Sequence, residues 1–136
     1  MRRSTYIKLV VIPLLIYVAI VLLFESSLGF FQPQAGNTVV ISTFDDAGVE
    51  HQRVVSLLES DGKLYVAVNH WPRAWYRRVL NNPGMRMNRE GISNEYRGVV
   101  VVDPEYRRVQ QDNPVPLAFR FLTGFPPRHF VRLDPQ

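Results

Sequence analysis

Hydrophobic and polar positions divide this 136-residue chain into one unbroken apolar run and a longer tract of short segments separated by turn residues. The run, residues 9–24, reads LVVIPLLIYVAIVLLF, with Arg2, Arg3 and Lys8 just before it. At about 1.5 Å per residue it falls a little short of a hydrocarbon core of roughly 30 Å. The Lys8 stem can snorkel and extend the span back to Tyr6, so a transmembrane helix over about residues 6–27 is long enough. A cleavable secretory signal shares the basic start, but the following ESSLGFFQPQAG offers no A-x-A pattern of small residues. The preferred reading is an uncleaved anchor within residues 1–28, a linker over 29–36 and a single domain over 37–136.

Past the linker the pattern predicts strands. NTVVIST at 37–43 is rich in β-branched residues and runs into Asp45, Asp46 and Gly48, which make a turn. A second strand is predicted over 49–58. Ser60-Asp61-Gly62 is the strongest hairpin signal and leads into KLYVAVN at 63–69, apolar on both faces and therefore central. Over 73–81 the period changes: Trp75 with Val79, and Tyr76 with Leu80, are four apart on one side of a short helix that Asn82-Pro83-Gly84 stops. Strands resume at 85–88 and at 96–103, joined by a turn at Glu90-Gly91. Asp103-Pro104 opens a helical turn through 106–109, with Asp as the cap. A second short helix is predicted over 116–123 and a last strand over 129–133. Five to six antiparallel strands with a helix between the third and fourth suggest a small barrel or half-barrel, mainly β with short helices.

Charge sharpens this picture. Three basic residues precede the apolar run and none lies between Phe24 and Arg53, which predicts a cytoplasmic amino terminus and an extracytoplasmic domain. Beyond residue 28 the chain holds 13 Lys plus Arg against 11 Asp plus Glu, with the arginines spread among acids. A nucleic-acid reader would concentrate its base on one stripe, so no nucleic-acid partner is expected. The absence of cysteine excludes disulfides, thiol catalysis and iron–sulfur ligation. His51, His70 and His129 have no ligand-like spacing, and no metal site is expected. His51 and His129 read as ordinary strand or surface histidines. His70 is the better candidate, because it ends a buried strand among Asn69, Trp71 and Arg73 where polar groups can converge.

The segment NHWPRAWYRRVLNNP at 69–83 carries a resemblance. It resembles the strand-loop-helix of the deazaflavin-dependent nitroreductase family, within the flavin-binding split β-barrel superfamily, which places W-Y-x-N-L-x-x-N-P after a strand. Trp75, Tyr76, Asn82 and Pro83 match, while Arg78 and Val79 stand where the family has Asn and Leu. DGKLYVAVN from Asp61, the strands over 38–58, YRGVVVV and PPRHFVRLDP keep the family's order, so the resemblance covers about residues 37–134. It implies a split β-barrel behind the transmembrane helix, a flavin-type cofactor (deazaflavin or FMN) and a homodimer.

One departure concerns the phosphate. The family's first turn, T-T-G-R-K-S-G, is cationic; here the same place reads Ser42-Thr43-Phe44-Asp45-Asp46-Ala47-Gly48. Two carboxylates in place of two cations repel a phosphate by about 1 kcal/mol each even in water. FMN-binding relatives resemble the chain differently, with R-x-V on the second strand and an Arg after the third, places taken here by Arg53 and Arg73. The planar arginine fork can hold two phosphate oxygens at once. The cofactor wall implied is thus Arg53, Asn69, His70, Arg73 and Trp75, with Arg132 as a neutral reference. The function implied is a membrane-anchored oxidoreductase acting on a quinone or other hydrophobic oxidant. The alternative is a tethered non-catalytic binding or interaction module. No residue is assigned as a catalytic acid or base.

Overall fold

The computed structural model describes residues 2–30, 37–68 and 74–136. They form two compact units: the amino-terminal helix α1 (Arg2–Phe30) together with residues 115–126, and a barrel that takes the rest. Within α1, the stretch Thr5–Leu28 is long and apolar enough to cross a membrane.

Six strands, β1 (Thr38–Phe44), β2 (Glu50–Ser60), β3 (Lys63–Val68), β4 (Gly84–Arg89), β5 (Ile92–Val100) and β6 (His129–Pro135), close into an antiparallel barrel. Their order round the barrel is β1-β2-β3-β6-β5-β4. Two tight hairpins follow from local chemistry. Asp61 and Gly62 (φ 52° and 71°) and Glu90 and Gly91 (φ 53° and 83°) are left-handed at both central positions, the geometry that matches strand twist in two-residue hairpins. Alternate residues of each strand then fill the interior: Ile41, Leu57, Val66 and Val131 are at most 1% exposed.

Helix α2 (Ala74–Asn81) closes one end by burying Trp75 and Val79. Its close approach depends on Gly98 of β5, where a Cβ would stand 2.8 Å from Val79 Cγ1 and 2.6 Å from Met85 Sδ. On the outside, helix α3 (Glu105–Asp112) lays Val109 over Tyr65, Ala67, Val101 and Phe130 in a second apolar cluster. Above that cluster Tyr65 donates to Glu105 Oε1 at 2.7 Å, and Arg132 Nη1 donates to Glu105 Oε2 at 2.9 Å. Arg132 Nε also donates to Asp134 Oδ1 at 2.6 Å. Arg132 is therefore no neutral reference: it is the hub of this network.

Four expectations need correction. The fifth strand covers Ile92–Val100 rather than 96–103, because the Glu90-Gly91 hairpin is tight enough for backbone pairing with β4 to begin at Ile92, although Ile92 to Glu95 bury nothing. Helix α3 reaches Asp112, whose carboxylate accepts a hydrogen bond from Ser60 Oγ of β2 at 2.6 Å and so holds the last turn to the barrel. Asp103 does not cap that helix: Pro104 holds the cap position without a side-chain bond, and the Asp103 carboxylate lies 3.5 Å from Arg107 Nε. Leu80 is 54% exposed, because the buried stripe of α2 is only as wide as Trp75 and Val79, with Tyr76 half-buried beside it. The remaining short helix, α4 (Leu117–Leu122), lies where the sequence places it.

Candidate functional site

Strand β2 lies between β1 and β3 in the barrel. It pairs with β1 from Glu50 to Ser56, and with β3 from Leu57, opposite Val66, to Ser60, opposite Lys63. Directly opposed residues of an antiparallel pair share a face. Arg53 stands opposite Ile41, which is fully buried, so Arg53 lies on the inner row of β2 and is half-buried there. His129, opposite the buried Val68, holds the corresponding inner position at the start of β6.

Thr43 and His51, opposite one another, complete that end of the inner row. The Thr43 side chain is fully buried and its hydroxyl has no hydrogen-bond partner. Tyr76 of α2 stacks on the His129 ring, with centroids 5.1 Å apart and planes inclined by 16°. Burial raises the Tyr76 hydroxyl above its usual pKa, which keeps it protonated at neutral pH. Neither His129 nor Thr43 stands out in the sequence. Each acquires its place only through pairing between strands that are distant in the chain or through burial under α2.

The β1–β2 turn is held by its own carboxylate. Asp45 Oδ1 accepts from the backbone N–H groups of Ala47 at 3.0 Å and Val49 at 2.9 Å. Its Oδ2 lies 2.9 Å from His51 Nε2. The hydrogen bond with His51, with those from the two amides, holds the Asp45 carboxyl below its ordinary pKa. An incoming phosphate would find these two amides already taken by an anion, with Asp46 beside it. The turn does not fit a phosphate.

Of the implied wall, then, Arg53 lies on the inner row of β2, and Trp75 is in the first turn of the helix that closes the same end. Trp75 is only 3% exposed and packs in the core, edge-on to Tyr76 at 6.1 Å between ring centroids. Asn69, His70 and Arg73, with Trp71, lie outside the described residues, in the chain that continues from Val68 to Ala74. A polar hollow of about 490 Å³ at the opposite end, between Asn37, Leu57 and the Glu90-Gly91 turn, holds none of them.

No protein-family model and no curated protein sequence matches the chain. Solved structures do resemble it. HutZ, the heme storage protein from Vibrio cholerae, is 18% identical over 83% of this chain and 90% of its own, with a TM-score of 0.56. An FAD-binding protein from Mesorhizobium loti is 14% identical over 74% of this chain and 80% of its own, with a TM-score of 0.52. An F420-H2 dependent reductase, FDR-A, is 14% identical over 71% of this chain and 93% of its own, also at 0.52. At such identities the likeness is one of fold. The chain thus has the split-barrel fold of flavin- and deazaflavin-binding proteins, preceded by an apolar helix.

Proposed function

We propose that the domain binds a flavin-type cofactor, FMN or a deazaflavin, at the end of the barrel where Arg53 lies on the inner row of β2, and works as a membrane-anchored oxidoreductase on a quinone or another hydrophobic oxidant. The observation that carries this reading is the place of the half-buried Arg53 on that inner row, opposite the buried Ile41 and next to Thr43 and His51 along it. In this reading Arg53 and Arg73 hold the phosphate, Asn69 and His70 line the wall, and Trp75 supports it from the core. The fold shared with the FAD-binding protein and FDR-A supports the cofactor class. A homodimer belongs to the same proposal. The anchor is supported by α1 itself, which is apolar on all sides and mostly exposed, so it needs an apolar surround. In this reading Arg2, Arg3 and Lys8 favour a cytoplasmic amino terminus, with the barrel across the membrane.

The test is titration of the purified full chain with FMN and with a deazaflavin. Saturable uptake is expected, with Arg53→Ala losing about 1.5–3 kcal/mol, roughly ten- to a hundredfold in Kd. Arg107→Ala is the control, an exposed residue of α3 that pairs only with its own helix start. No uptake by the intact chain overturns the cofactor reading. A second reading, a non-catalytic interaction module on the same barrel, is favoured by Asp45, which occupies the turn amides with an internal anion. Equal small losses at both arginines support that module.

A further inference from the structure

Residues 115–126, VPLAFRFLTGFP, are inserted between α3 and β6 but form one compact unit with α1. Three contacts on one stripe of α1 hold them there. The Tyr17 and Phe121 rings lie 4.8 Å apart, and the Tyr17 hydroxyl donates to the Phe121 carbonyl at 2.8 Å. Phe24 meets Phe119 edge to face at 6.0 Å. Gly124, left-handed at φ +75°, ends α4 so close to α1 that a Cβ would stand 3.1 Å from Val21 Cγ1. Positions 17, 21 and 24 are one face of a helix. They lie between the middle of the Thr5–Leu28 stretch and its carboxyl end, and the distance from Tyr17 to Leu28 is about 16 Å. That is about half of a hydrocarbon core, one leaflet.

The surface that α4 turns away from this stripe is apolar. Leu117, Phe121 and Phe125 are 70%, 50% and 48% exposed, and they line an open hollow with Ala118 and Leu122. Water is a poor surround for such a surface. The backbone, by contrast, needs little water. Within the segment the carbonyls of Pro116, Phe119, Arg120 and Phe121 all accept hydrogen bonds from later N–H groups. The Thr123 hydroxyl, fully buried, donates back to Phe119 at 2.9 Å. Pro114, Pro116, Pro126 and Pro127 flank the segment and bring no N–H at all. Non-helical backbone is tolerated at membrane depth under these conditions of internal satisfaction. The single charge, Arg120, lies over the Phe125 ring at 5.7 Å, and its long stem can carry the guanidinium to the headgroups.

We propose that residues 115–126 form a second membrane-embedded element, a short re-entrant helix in the leaflet that holds residues 17–28 of α1, with Leu117, Phe121 and Phe125 among the lipid acyl chains. The proposal rests on the anchor reading above. Its occupant is lipid, because the apolar face of α4 continues the apolar surface of a helix whose other faces, with Val18, Ile20, Leu22 and Leu23, are exposed over the same stretch. The barrel chain would then enter the bilayer a second time after Asn113, so that a hydrophobic oxidant could meet the domain without leaving the membrane.

The natural absence of cysteine makes the test direct. Phe121→Cys and, as an independent position, Leu117→Cys are introduced singly into the full chain, labelled with a polarity-sensitive fluorophore and reconstituted in phosphatidylcholine vesicles. Val18→Cys on the exposed side of α1 reports the anchor, and Ile92→Cys at the exposed hairpin reports water. The expected result is blue-shifted emission and quenching by acyl-brominated lipid at 117, 121 and 18, with quenching by aqueous iodide only at 92. Iodide quenching at 117 and 121 with lipid quenching at 18 overturns the proposal and leaves the anchor standing. Iodide quenching at 18 overturns the anchor reading and the proposal with it. Protection at 117 and 121 from both quenchers shows a protein cover, a second copy of the chain included, and also overturns it.

Discussion

Arg132 and Arg53 are both half-buried arginines on barrel strands, yet they stand in opposite settings. Arg132 is on the outer face, where α3 supplies Glu105 and the strand itself supplies Asp134, and its guanidinium donates to both at 2.6–3.1 Å. Those carboxylates hold the Arg132 pKa well above its ordinary value. Arg53 is on the inner row of β2, opposite the buried Ile41. The first arginine closes a network that pins a helix to the outside of the sheet; the second lies on the inner face. The comparison teaches that arginine content says little about ligand sites in this fold, and that the face of the strand on which an arginine stands says more.

The largest expected effect concerns Trp75, a residue of the implied cofactor wall that packs in the core. With 3% exposure and a place in the core beside Val79, it is first a packing residue. Trp75→Ala should cost about 3–5 kcal/mol of unfolding free energy, measured by urea denaturation. A loss below about 1 kcal/mol would move Trp75 from the core into the ligand wall, since a side chain that packs little is free to face a cofactor.

Arg132→Ala comes next, at about 1.5–3 kcal/mol, because it strands Glu105 among buried neighbours. Burial opposes ionisation of Glu105, but the hydrogen bonds from Tyr65 and Arg132 outweigh it, and the carboxyl sits below its ordinary 4.5. The hydrogen bond from Arg132 lowers Asp134 below 3.8 in the same way. A carboxyl lowered in the folded state contributes stability that is present above its unfolded pKa and lost as pH falls through the folded one. The intact chain should therefore lose stability on acidification below about 4.5, and Arg132→Ala should lose less over the same window. Asp45, also lowered, acts in the same direction in both proteins and cancels from the comparison. Identical acid profiles would show that the network has no part in stability.

What was legible in the sequence is what local chemistry dictates. The Asp61-Gly62 and Glu90-Gly91 turns, the β-branched run of β1 and the four-residue spacing of Trp75 and Val79 each act within a few residues, and each element lies where that chemistry puts it. The network round Arg132 was not legible, since Tyr65 and Glu105 are 40 residues apart and meet only when α3 packs on the barrel. The same holds for Tyr17 and Phe121, 104 residues apart. At the candidate site Arg53 came from a motif on a strand, while the stacked Tyr76 and His129 needed the β3–β6 pairing, which joins strands separated by two others in the chain. The start of β5 was misplaced because its first residues pair through the backbone and carry no apolar pattern.

The smallest expected effect is at Thr43, and it divides the two regions most finely. Its hydroxyl is buried and without a partner on the inner row, opposite His51 and two positions along β1 from Ile41, which faces Arg53. Valine has nearly the same shape and no polar atom. Thr43→Val should therefore gain about 1 kcal/mol of stability, since it removes a desolvated group that forms no bond. Measured with the cofactor titration, the variant separates two roles. A gain in stability with unchanged FMN or deazaflavin affinity makes Thr43 a packing position of the core. A gain in stability joined to weaker binding extends the candidate site from Arg53 across to β1. A loss of stability would show that the hydroxyl has a partner in solution, and would remove Thr43 from both accounts.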